Sequence, residues 1–183
     1  MRNLVIGFVL GLLATVLVAS AWIYTYFSRG MAPVATSAPP MPFEKRLARL
    51  ALHARMEREM PRQAPLPPDE GNLVAGARVY VQHCAVCHGL PGGGQTAIAE
   101  GEFPKPPHLF RGKGVTDDTP GETYWKVANG IRLTGMPGFE KSLSIDQMWQ
   151  VSLLLANADK LPASAGTALT GGAEAAREAA PAK

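Results

Sequence analysis

The sequence predicts an all-α protein, a set of short helices behind one long N-terminal transmembrane helix. Three observations carry this. Leu4 to Phe27 is a run of 24 residues without a charge. Thr119-Pro120-Gly121-Glu122 and Ser144-Ile145-Asp146-Gln147 each pair a capping hydroxyl with an acid or amide three residues on, the signature of a helix start. No segment shows the period-2 alternation of a half-buried strand, and no internal repeat is visible.

The uncharged run exceeds the roughly 20 residues that cross a bilayer as a helix. Tyr24 and Tyr26 stand at its far end, where interfacial aromatics belong. Ala19-Ser20-Ala21 would suit a signal peptidase, but the apolar stretch continues through Trp22, Ile23 and Phe27, too long for a secretory core. Residues 1–29 are therefore read as an uncleaved anchor, with the cleaved signal peptide as its competitor.

Residues 30–68 form a linker. Met31 to Pro42 is rich in Ala and Pro and reads as semi-stiff and extended. Within the linker, residues 43–60 place Phe43, Leu47, Leu50 and Ala54 at helical spacing, with Lys45, Arg46, Arg49 and Arg55 mostly on other faces. This predicts a basic amphipathic helix that either meets anionic lipid or a partner, or packs on its own domain as a stalk. His53 falls on it as a surface residue. Pro61 ends the helix, and Pro65, Pro67 and Pro68 make a second linker.

Residues 69–162 read as the globular domain. Asn72 is placed to cap a helix reaching about His83. A second helix opens at Thr119 and stops at Gly130, and a third runs from Ser144 to about Ala158. Residues 163–183, alanine-rich and poor in large apolar side chains, are expected to be disordered.

Of 183 residues, 46% are apolar, and the net charge is +3. Residues 1–68 hold eight Lys/Arg against three acids; residues 69–162 hold eight against ten. A mildly acidic domain without a clustered basic face argues against nucleic-acid binding. Two cysteines exclude a disulfide-rich scaffold and a four-cysteine metal site.

Those cysteines decide the chemistry. Cys84-Ala85-Val86-Cys87-His88 is the C-x-x-C-H pattern of covalent haem attachment. Two thiols three positions apart at a helix end reach the two vinyl-derived carbons on one porphyrin edge, and the next residue arrives beneath the iron. His88 thereby becomes an axial ligand. A thioredoxin-like pair would sit near a βαβ pattern, and a zinc site would need further ligands. For the sixth iron position the candidates are His53, His83, His108, Met136 and Met148. His83 lies too near the attachment point to reach the other haem face, and Met148 beside Trp149 reads as core filler. Met136, in Arg132-Leu-Thr-Gly-Met-Pro-Gly-Phe139, sits between a glycine that lets the backbone approach and a proline that holds it.

With these motifs in this order, the segment from about Asn72 to Pro162 resembles a class I mono-haem cytochrome c of the short bacterial type with a Gly-Met-Pro ligand loop. The resemblance implies the cytochrome c fold, one haem c, and Met136 as distal ligand. It also implies that the Pro107 carbonyl accepts a hydrogen bond from the imidazole of His88. Gly76 and Tyr80 match the family's small-plus-aromatic contact with the last helix, with Trp149 as counterpart. His108 follows Pro107 where the family usually lacks a histidine and is read as a bystander. Tyr124 and Trp125 are expected to pack on the haem. No ring of lysines surrounds the expected haem edge.

The function implied is electron transfer rather than catalysis, with redox proteins and a membrane as partners. With both axial positions filled, no small-molecule substrate is expected. Because family members acquire haem outside the cytoplasm, the resemblance places the domain in the periplasm, on a single-pass inner-membrane anchor with its N-terminus inside. The alternatives are a gas-binding or peroxidase-like haem protein with a labile sixth ligand, and a haem subunit of a larger respiratory complex.

Overall fold

The computed structural model describes residues 1–111 and 117–178. They contain eight helices and no strand among the described residues. The chain divides into two compact units, Met1–Lys45 and Arg46–Lys183.

The first unit is dominated by α1 (Arg2–Ser28). Its 27 residues rise about 40 Å at 1.5 Å each, enough to cross a hydrocarbon core of about 30 Å. None of its side chains is buried. The hydroxyls of Thr15 and Thr25 donate to the carbonyls of Gly11 and Ala21 one turn back, leaving neither hydroxyl unsatisfied in an apolar surrounding. Trp22 stacks on Tyr26 at 5.6 Å near the C-terminal end.

α2 (Glu44–Glu59) ends before Pro61. Met56 is buried and Leu52 half-buried, while Leu47 and Leu50 are exposed. Glu59 accepts from the indole of Trp125 and pairs with Arg55.

In the second unit, α3 (Glu70–His83) starts on Asp69, whose carboxylate accepts from the Asn72 amide at 2.9 Å. Asn72 was the expected cap. Pro67 and Pro68 block helix upstream, so the first residue after them takes that place. Asn72 instead ties the domain together, donating to the Pro67 carbonyl and accepting from Gln150.

α3 crosses α7 (Ile145–Ala156), and α7 also packs on α6 (Pro120–Asn129). A Cβ on Gly76 would run into the Gln150 carbonyl of α7, so only glycine permits this approach. Trp149, expected opposite Gly76 and Tyr80, is on another face of α7: it stacks on Tyr124 at 4.2 Å. Gln150 and Leu154 face Gly76, and Tyr80 meets Phe110 edge-on at 5.0 Å. The caps of α6 and α7 form as the sequence predicts. Thr119 accepts from the Glu122 amide, and Ser144 and Gln147 exchange reciprocal bonds. Core residues Leu73, Ala77, Val151 and Leu154 lie between the helices.

The alanine-rich tail departs from expectation. Ala163–Glu178 forms α8 and packs on α3, burying Ala165 and Leu169 completely or nearly so. Two apolar residues four apart on one helical face suffice because α3 supplies the rest of the surface. Ser164 also donates to Glu70. Residues 179–183 lie outside the described residues.

A candidate haem-binding cavity between the C-x-x-C-H turn and the Met136 loop

The last turn of α3 leads directly into α4 (Ala85–His88). The Cys84 amide bonds back to the Tyr80 carbonyl, and the amides of Cys87 and His88 both bond to the Cys84 carbonyl. One tight turn thus gathers Cys84, Cys87 and His88 at positions i, i+3 and i+4. Gly89, at φ +76°, reverses the chain. The buried Tyr80 hydroxyl donates to the Gly89 carbonyl at 2.6 Å and locks the turn to α3.

His88 donates from Nδ1 to the Pro107 carbonyl at 2.8 Å. This leaves Nε2 with its lone pair, the tautomer a metal ligand needs. Burial lowers the His88 pKa below its ordinary 6.5, favouring the neutral ring. The thiols move the other way. Burial pushes Cys84 up to about 12, and burial with the neighbouring Glu102 carboxylate raises Cys87. Redox-active C-x-x-C pairs have depressed thiol pKa values. Both shifts here are upward, opposite in direction to those of a thioredoxin-like pair. Among the described residues no group of three or more His, Cys, Asp or Glu side chains could hold a metal ion.

Met136 is brought to the same place by the loop after α6. Gly130, at φ +68°, ends that helix, and a Cβ there would lie 2.5 Å from the Gly138 nitrogen and 2.8 Å from the Met136 carbonyl oxygen. The Met136 amide donates to the Thr134 hydroxyl, and the Met136 carbonyl accepts from the Ile131 amide. Phe139 then bonds back to the Val127 carbonyl at 2.9 Å. The methionine is held at both backbone groups.

Cys84, Cys87, His88 and Met136 line one solvent-open cavity. His83, Glu102 and Phe139 complete much of the wall. Two thiols for thioether links, an oriented neutral imidazole and a thioether in one cavity are the donor set of a covalent haem, and the residues present fit it.

The other sequence candidates are elsewhere. Met148 is 2% exposed within the core, and His53 is on the exposed side of α2. His83 joins the wall beside Cys84 and meets Phe139 edge-on. His108 is packed against Gly89. Its Nδ1 accepts from the Phe110 amide, and its buried Nε2 has no partner among the described residues. Tyr124 and Trp125, expected on the haem, are not part of this wall; they are engaged by Trp149 and Glu59. Glu102 was not anticipated. It accepts from the Cys87 thiol at 3.8 Å, and its carboxylate fills the space beside Gly135. Nothing local in the sequence marks it, because both contacts are long-range.

The family described as cytochrome c oxidase, cbb3-type, subunit III, matches residues 71–153. Cytochrome c6 of Limnospira maxima is 34% identical over 82 residues, which are 45% of this chain and 88% of that protein. A chain of the reducing HAO-like protein complex of Kuenenia stuttgartiensis is 30% identical, with a TM-score of 0.45. That match covers 51% of this chain and 46% of the other, so the chain spans about half the length of that structure. The family match encloses both the C-x-x-C-H turn and the Met136 loop, and with the cytochrome c6 match it makes covalent haem c, with its iron, the cofactor. By its helices, the family match and its likeness to cytochrome c6, the chain belongs to the mono-haem class I c-type cytochromes.

Proposed function

We propose that this cytochrome carries single electrons with His88 and Met136 as axial ligands, on the outer face of a bacterial inner membrane, tethered there by α1. The observation that carries the reading is the meeting of His88 and Met136 in one cavity, though 48 residues separate them in the chain. Bound haem supplies a one-electron iron couple whose potential methionine ligation raises. The chain's own residues set the conditions for it. Cys84 and Cys87 fix the porphyrin edge, and Pro107 orients His88. The loop from Gly130 to Phe139 keeps Met136 in place through its backbone bonds, so the coordination sphere changes little between oxidation states. With His88 and Met136 holding the iron, the group would relay single electrons and offer no place for a substrate.

Membrane tethering is supported by the length and apolarity of α1. Confinement near the bilayer raises the effective concentration of the haem domain toward membrane-bound redox partners. The described family of an oxidase subunit supports a place in, or beside, a respiratory complex.

The test is ligand replacement. The oxidised protein is expected to show the weak far-red sulfur-to-iron absorption band. Met136→Ala should abolish it, admit carbon monoxide to the reduced iron and lower the reduction potential. His108→Ala should change none of these. Rapid carbon monoxide binding by the unaltered protein would instead favour a gas-binding or peroxidase-like role. An intact spectrum in Met136→Ala, with the iron opened by His108→Ala, would make the haem bis-histidine.

A further inference from the structure

α2 has two apolar faces, and the domain uses one of them. Leu52, Met56 and Glu59, at spacings of four and three, turn inward: Met56 is 2% exposed, Leu52 half-buried, and Glu59 bonded to Trp125. Leu47, Leu50 and Ala54, at spacings of three and four, lie about half a turn away around the helix. They are uncovered, with Leu47 63% and Leu50 66% exposed. A polar residue at either leucine would serve a simple stalk equally well. From Lys45 to Met56 the helix carries Lys45, Arg46, Arg49 and Arg55 and no acid. The three acids lie at the two ends: Glu44 accepts from the Met41 amide, Glu59 is held by Arg55 and Trp125, and Glu57 is exposed in the last turn.

The occupant is indicated by charge and by reach. An exposed leucine stripe within a basic, acid-free stretch complements a surface that is apolar below and anionic above, as the boundary of an anionic bilayer is. Residues 29–43 separate α1 from α2, and fifteen residues extend no further than about 50 Å. If α1 spans the membrane, α2 is never beyond that distance from a lipid surface.

We propose that α2 is an interfacial helix, which lays Leu47, Leu50 and Ala54 into the headgroup boundary of anionic lipid while Leu52 and Met56 hold the haem domain. The tether is then more than a leash: it fixes the height and tilt of the haem domain above the bilayer. The proposal rests on the reading of α1 as an anchor, and the test separates the two.

The haem-loaded full chain with Ala54→Cys would carry a nitroxide label there, since Cys84 and Cys87 are consumed by thioether links. It is assembled into nanodiscs of phosphatidylcholine, alone or with about one-third phosphatidylglycerol, enough anionic lipid to attract basic segments. Label accessibility to oxygen, which concentrates in lipid, is compared with accessibility to a water-soluble nickel chelate. The oxygen-to-nickel ratio is expected to rise several-fold in the anionic discs. It should fall back with added salt, which screens exposed charges. Each basic residue near an anionic surface changes the bound-to-free ratio about fivefold. Arg46→Glu with Arg49→Glu, both exposed and remote from the cavity, should therefore lower lipid engagement by more than about twentyfold and leave the haem spectrum unchanged. A label in water in both disc types overturns the proposal. So does a label shielded from both reagents regardless of lipid or charge reversal, because protein, not lipid, then covers the stripe. A chain that co-elutes with discs while its label faces water refutes the interfacial helix alone; a chain that does not co-elute refutes the anchor as well.

Discussion

Replacing Gly130 by alanine tests how the methionine is held. At φ +68° and ψ −176° Gly130 lies in a region essentially reserved for glycine, where a residue with a Cβ costs about 1–3 kcal/mol more. The added carbon would stand 2.5 Å from the Gly138 nitrogen, 2.7 Å from the Pro137 carbonyl carbon and 2.8 Å from the Met136 oxygen. Ordinary contact needs about 3.5 Å or more, so the segment must retreat by up to about 1 Å. Forcing a methyl into such a space typically costs about 1–3 kcal/mol. All three colliding atoms are backbone, so no side-chain rotation relieves the clash. The whole penalty is then about 2–6 kcal/mol unless the loop moves. Movement would stretch the Ile131–Met136 and Phe139–Val127 bonds and carry the thioether away from its proposed place as axial ligand. Gly130→Ala is therefore expected to retain covalent haem but to weaken or lose the far-red band, bind carbon monoxide when reduced, and melt at a lower temperature. At about 4–8 °C per kcal/mol, a loss of 2 kcal/mol lowers Tm by roughly 8–16 °C. Gly166→Ala, in α8 with open space where its Cβ would go, is the control and should be neutral or slightly stabilising. An undiminished band together with a Tm within a few degrees of the parent would refute the reasoning.

Three further outcomes follow from the same contacts. Tyr80→Phe removes the buried 2.6 Å bond to the Gly89 carbonyl and leaves that acceptor unpaired, which should cost about 1–3 kcal/mol by chemical denaturation with the haem links intact. Leu169→Ala empties a buried site where α8 meets α3 and should cost about 2–5 kcal/mol; no measurable loss of stability would mean that the tail does not pack as described. Burial works against charge on Lys126, but the carboxylates of Asp118 and Glu122 outweigh it and raise its pKa above the ordinary 10.5. A raised folded-state value stabilises the protein below the unfolded pKa, and this contribution fades as pH climbs through the folded one. The Tm difference between the parent and Lys126→Met should therefore be present at pH 7–9 and shrink as pH rises past 10.5.

Much of this protein is written locally. The proposed haem-attachment motif needs only five consecutive residues, because a single helical turn brings Cys84, Cys87 and His88 together. The caps at Thr119 and Ser144 are equally local, each bond spanning three residues. Membrane-span length needs no tertiary partner at all. These features follow from chain geometry over one or two turns, which is why the sequence alone determined them.

The remainder depended on what lies across the fold. Asn72 has the chemistry of a cap but bridges to Gln150, because Asp69 stands closer to the prolines that bar the helix. The tail lacks enough apolar surface to fold unaided, and α3 supplies the missing half of its core. Trp149, Tyr124 and Trp125 are aromatic in a haem protein, yet packing turned them to each other and to α2, away from the cavity. Glu102 became a wall residue through contacts 15 and 33 residues distant in the chain, with Cys87 and Gly135. Met136 shows both levels at once. Its flanking Gly and Pro marked it as a loop residue, but its arrival beside His88 depends on α3, α6 and α7 packing closely enough for Gly130 and Gly138 to pass backbone against backbone. Sequence specifies donors and turns over short range; which donors meet is decided by long-range packing, where the identity of the neighbour counts more than the residue's own propensity.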